Sequence, residues 1–165
     1  MRIVLTKFAR FARHQGFVQA WAIPVWCLLG LAKIAIFTVS YRRLQPFLGT
    51  SVGVVPWVPV LSEVAEERAR QVGAVVRLVS RYTLWESNCF PQAIVSRLLL
   101  GLYGIDYCLF FGVRRGNGPD SFDAHAWIAA GHVRVIGGWS FHEYTVVGVI
   151  ASPALAADVM PDSRR

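Results

Sequence analysis

The hydrophobic periodicity of this chain changes once, and the change falls at Gly104. Before that glycine, apolar residues recur every three or four positions, the spacing of one helix face. After it they form short β-rich stretches bounded by turn residues. The spacing predicts a helix from Ser62 to about Arg81. Ser62 serves as its N-cap, Glu63, Glu66 and Glu67 sit at the positive end of the dipole, and Arg77 and Arg81 sit at the negative end. Val64, Val72, Val75, Val76 and Val79 supply its apolar stripe. A further helix is expected from about Cys89 to just before Gly104. Asp106 to Val113, Ala124 to Ala129, Val133 to Ile136 and Thr145 to Ile150 read as strands, broken by RRGNGPD, AGH and GGWS. Such short connections join antiparallel neighbours, so the expected fold class is α+β: helices first, then a small antiparallel sheet. Residues 151–165 read as a loose tail. With 165 residues, 55% of them hydrophobic, the chain has the size of one domain and the side chains to fill its core. A disordered or low-complexity chain is excluded.

The charge divides the chain differently. Residues 1–62 hold Arg2, Lys7, Arg10, Arg13, Lys33, Arg42 and Arg43 and no acidic residue, so the net charge of +7 resides there. Residues 3–22 read as an amphipathic helix with Lys7, Arg10 and Arg13 on one face. Pro24 is expected to start or kink a second, more apolar helix reaching about Tyr41. Residues 46–59, with three prolines and two glycines, read as a connector. Trp21 to Val39 is long enough to cross a bilayer, but Lys33 lies inside the stretch and basic residues flank both ends. A buried or interfacial helix is therefore the expectation. The basic residues are dispersed among apolar ones with no recognition motif, so no nucleic-acid partner is expected, whereas a membrane surface or a protein partner is. Cys27, Cys89 and Cys108 are odd in number and lack CxxC spacing. They imply neither a disulfide framework nor a metal site, and they fit a reduced cytoplasmic setting with no cofactor.

Chemistry concentrates in WESNCFPQAIVSRLL, residues 85–99, and FDAHAW, residues 122–127. With Ser87 or Asn88 as cap, Cys89 falls in the first turn of its helix, where Pro91 is tolerated because the early N–H groups have no intrahelical partner. That end of a helix favours negative charge, and its N–H groups can form an oxyanion hole. His125 lies on a predicted strand between two alanines, with Trp127 on the same face. A cysteine nucleophile and a histidine acting as base and then acid perform acyl transfer, although both residue types are also common in cores.

The run W-x-x-x-C-F-P-Q-A, then G-I-x-Y-x-L-x-x-G-V-R-R, then F-x-A-H-A-W with V-R-V-I-G-G, resembles the leader peptidases of lasso-peptide biosynthesis. These are a branch of the transglutaminase-like, papain-related superfamily. The resemblance covers about residues 62–150, and the YRRL segment before them is similar too. It implies a cysteine peptidase that removes the leader of a ribosomally made precursor peptide, with Cys89 as nucleophile, His125 as base, and Trp85 and Trp127 as aromatic walls. It also implies a separate leader-recognition protein and an ATP-dependent lasso cyclase as partners. Residues 1–61 are then a basic, apolar helical accessory region and residues 62–150 the peptidase core. Where such peptidases carry an acidic third residue, this chain has Gly137. Asp123, Glu143, His142 or a backbone carbonyl are left as candidates to orient His125. Another acyl-transfer activity, of amidase or transglutaminase type, and a non-catalytic adaptor are the alternatives.

Overall fold

The computed structural model describes residues 16–55, 57–116, 118, 121–138 and 140–159. Helix α1 (Gly16–Thr38) opens the described chain, followed by α2 (Tyr41–Leu48), strand β1 (Thr50–Gly53), α3 (Glu63–Ser80) and α4 (Cys89–Leu102). Strands β2 (Cys108–Arg115), β3 (Phe122–Ala130) and β4 (Val133–Ile136) come next. A 3-10 turn (Ser140–Glu143), β5 (Thr145–Ala151) and α5 (Pro153–Val159) complete the order. The strands form one antiparallel sheet in the order β1-β5-β2-β3-β4. This is the expected α+β architecture.

The sheet has two differently used faces because side chains alternate along a strand. Ala126, Ile128 and Ala130 of β3 join Tyr107, Leu109 and Ile150 in the main core. There they meet Val72, Val75 and Val76 of α3 and Val95, Leu99 and Leu100 of α4. Trp127 joins Cys108, Phe110, Val149 and Ala156 on the other face. The α3 stripe does what its valines predict, and its start is fixed locally: Ala65 N–H donates to Ser62 Oγ at 3.3 Å. Arg77 reaches from α3 to the Val135 carbonyl of β4, and burial pushes its pKa down. Deep in the core, Tyr107 Oη donates to the Leu48 carbonyl at 2.7 Å and accepts from Arg97 Nε at 3.0 Å.

Three expectations change. Pro24 neither starts nor divides a helix: α1 runs through it. The inward stripe of Val18, Val25, Leu29 and Ala32 packs on both sides of the proline, and this burial holds the helix together where one backbone hydrogen bond is lost. Of the amphipathic helix expected over residues 3–22, residues 3–15 lie outside the described residues and 16–22 belong to α1. The connector over 46–59 contains the end of α2 and an edge strand, β1, which pairs Thr50 with Ala151 and Ser51 with Ile150. The tail begins ordered, because Ala151 ends β5 and Pro153 opens α5. Ser152 anchors it: its Oγ donates to Asp106 at 2.5 Å, and its N–H donates to the Tyr107 carbonyl at 3.0 Å.

Candidate active site

Cys89 is the first residue of α4, and Asn88 takes the extended N-cap conformation before it. The Asn88 side chain makes no capping hydrogen bond, so it does not occupy the first-turn N–H groups of Cys89 and Phe90. The preceding loop is fixed by polar contacts. Thr83 Oγ1 lies 3.0 Å from Ser87 Oγ and 2.8 Å from the Trp85 carbonyl, and Gln92 Nε2 donates back to the Ser87 carbonyl at 2.7 Å. The Cys89 side chain is half-buried.

His125 sits on β3, opposite Gly112 of β2. Its Nε2 lies 2.6 Å from the Gly137 carbonyl oxygen. Carbonyl oxygens only accept, so Nε2 carries the proton, which leaves Nδ1 of a neutral ring as the base. The ring is held between Trp127, 5.9 Å away and nearly parallel, and Tyr144 at 5.0 Å. Gly112 makes this packing feasible, since a β-carbon there would stand 2.8 Å from both Trp127 Cζ3 and Tyr144 Cβ.

Cys89 and His125 line one cavity of about 430 Å³, together with Asn88, Tyr41, Phe90 and Phe111. Strand alternation sets His125 on the face opposite Ala126, while α4 packs on the Ala126 side. The cavity passes Gly112, beside the pairing irregularity between Phe111 and Gly112. No hydrogen bond joins Cys89 to His125 among the described residues.

The acidic candidates are engaged elsewhere. Arg114 Nε lies 3.3 Å from Asp123 Oδ2, Arg114 Nη1 pairs with Glu143, and the same guanidinium covers the Tyr144 ring at 4.9 Å. The exposed His142 lies in the 3-10 turn. Of the candidates for orienting His125, the one in contact with the ring is a backbone carbonyl, that of Gly137. Gly137 has φ +102°, and a β-carbon there would overlap that of Trp127.

Trp85 does not line this cavity. It packs against α1, 5.0 Å from Trp26 and over Gly30, with its buried Nε1 unpartnered among the described residues. Trp127 backs His125 and stacks on Phe110 at 5.5 Å. The wall is made instead by Tyr41, Phe90 and Phe111, whose rings lie 6.0 to 6.4 Å apart. Phe90 belongs to the C-F-P-Q-A run and Tyr41 opens YRRL, so both stood within recognisable segments, but nothing local marked them as neighbours. Of the remaining titratable groups, Cys108 is buried on the same sheet face as Trp127, its thiol pushed up to about 12 by burial and then by Asp106. His132 is held by Glu66.

A family model described as transglutaminase-like superfamily matches residues 35–149, from the end of α1 through most of β5. The chain belongs to the transglutaminase-like superfamily. No curated protein and no solved structure gives a match. Membership in the transglutaminase-like superfamily points to cysteine-protease or acyl-transfer chemistry, and a helix-start cysteine and a strand histidine line one cavity.

Proposed function

We propose that this chain is a cysteine peptidase that removes the leader from a lasso-peptide precursor, acting with a separate leader-recognition protein and an ATP-dependent cyclase. In this reading residues 62–150 are the catalytic unit and residues 1–61 an accessory region. Its main support is the tethered His125 ring on the cavity that also holds Cys89.

The reaction requires the Cys89 thiol and the His125 ring, which line one cavity from elements on opposite faces of the sheet, to come within hydrogen-bond reach; Nδ1 then takes the Cys89 proton as Sγ attacks the scissile carbonyl carbon. The developing oxyanion accepts from the N–H groups at the start of α4. The imidazolium gives its proton to the leaving amine, which departs as the freed core peptide. Water, deprotonated by His125, then attacks the thioester; the leader leaves with a new carboxylate and Cys89 regains its proton. The Gly137 carbonyl holds Nε2–H throughout, so the ring presents the same nitrogen at each step.

One observation favours a second reading, a non-catalytic adaptor in the same maturation complex: the Cys89 thiol and the His125 ring share a cavity without a hydrogen bond. Mass spectrometry of the precursor after incubation with this chain and the recognition protein separates the two. A peptidase yields leader and core from one cut, each with a free terminus. An adaptor leaves the precursor whole. Transfer of the acyl group to an amine instead of water would identify the transglutaminase-type alternative.

A further inference from the structure

The outward side of α1 lacks a polar face. Its inward stripe is buried against the helical core, yet on the outside Ala20, Ile23, Cys27, Leu31, Ile34 and Phe37 follow one another at helical spacing, all exposed. Ile23 and Phe37 are 76% exposed, and Leu31 and Ile34 are 60% exposed. The most apolar stretch of the helix has mean hydropathy 1.9, with 17% of its residues buried. A core helix buries more than this, and a surface helix in water turns polar residues outward. The stripe is about 26 Å long at 1.5 Å per residue, and Trp26 borders it. An apolar groove of about 280 Å³ between Ile23, Trp26, Leu78 and Tyr82 widens it.

Charge selects what covers this surface. Residues 1–62 carry seven basic side chains and no acidic one. Arg42 and Arg43 are exposed just beyond the helix, and the Lys33 ammonium lies 5.2 Å from the Phe37 ring centroid. A second copy would bring the same positive charges to a symmetric interface, an unfavourable arrangement. An anionic bilayer meets both needs, with acyl chains for the stripe and phosphates for the cations. The helix is bound to the domain along Val18, Val25, Leu29 and Ala32, so it meets the lipid with one side only.

We propose that α1 docks in the plane of an anionic lipid surface, burying Ile23, Leu31, Ile34 and Phe37 at the headgroup boundary while Lys33, Arg42 and Arg43 contact phosphates. This docking is independent of the peptidase reading, because it concerns a face of the fold away from Cys89 and His125 in sequence and its test reads no cleavage.

The test is co-sedimentation of the full chain with vesicles of phosphatidylcholine plus phosphatidylglycerol and with vesicles of phosphatidylcholine alone. The wild type should pellet with the anionic vesicles and about ten-fold less with the neutral ones. Leu31→Glu/Ile34→Glu should remain in the supernatant with an unchanged circular dichroism spectrum. Arg42→Glu/Arg43→Glu, at two exposed positions, should weaken binding to anionic vesicles by about ten-fold and serves if the first variant fails to fold. Failure of the wild type to pellet, or equal pelleting of wild type and Arg42→Glu/Arg43→Glu, would overturn the proposal. So would a vesicle-free dimer in light scattering that Leu31→Glu/Ile34→Glu converts to monomer, since a second copy would then cover the stripe.

Discussion

The Nε2 of His125 lies 2.6 Å from the carbonyl oxygen of Gly137. A main-chain acceptor therefore holds the imidazole. Such an acceptor fixes the tautomer but brings no full negative charge to the ring. The bond depends on a backbone conformation, φ +102°, that side-chain-bearing residues rarely adopt.

Gly137→Ala is therefore expected to do two kinds of damage. The added β-carbon collides with that of Trp127 and strains the backbone, costing about 3 kcal/mol of stability. The carbonyl also turns away from His125. Denaturant melts and turnover on the same samples check this: Gly137→Ala should lose activity even at temperatures where circular dichroism shows it folded.

Tyr144 is expected to position His125 rather than react. Tyr144→Ala removes one side of the ring's packing and should lower kcat about ten-fold with a smaller change in KM. Tyr144→Phe keeps the ring and should keep most of the rate. Equal losses in the two variants would assign the effect to the hydroxyl instead.

The cysteines should separate by alkylation. Cys108, buried and with its thiol pushed up to about 12, should resist iodoacetamide in the native protein through pH 9 and react only after unfolding. Cys89 should react ahead of the exposed Cys27, and His125→Ala should erase that lead. Peptide mapping of a labelling time course reads all three.

Glu66 should make stability depend on acid. The His132 backbone N–H, at 2.8 Å, and then its side chain, at 2.9 Å, hold the Glu66 carboxyl below its ordinary value of 4.5. A depressed folded-state value means stabilisation that is present above 4.5 and lost as pH falls through the folded value. Glu66→Gln should therefore lower the denaturation midpoint near neutral pH, with the gap to wild type closing as the pH falls below 4.5.

Features encoded locally were legible in the sequence. The Ser62 cap, the valine stripe of α3, the start of α4 at Cys89 and four of the five strands each rest on residues near one another in the chain. The features that escaped notice depend on distant partners. Strand β1 is held by backbone pairing to β5, and Thr-Ser-Val-Gly carries no alternating pattern to betray it. Helix α5 is anchored by Ser152 on Asp106, and α1 survives Pro24 because a stripe spanning the proline is buried. Within the site, Cys89 and His125 stood out as residue types in motifs, and the sequence left a backbone carbonyl among several candidates for orienting the ring. It could not single out Gly137, because a carbonyl has no side-chain signature and its aim follows from the turn after β4. The resemblance implied Trp85 as a wall, yet its bulk faces α1, and Tyr41 of α2 reaches the cavity in its place.

The most direct measurement of the central claim is leader release from the precursor, in the presence of the recognition protein, by wild type, Cys89→Ala and His125→Ala, each checked for folding. The wild type should make one cut, and both variants should lose at least about a thousand-fold. Cleavage by Cys89→Ala at the wild-type rate would contradict a cysteine-peptidase mechanism.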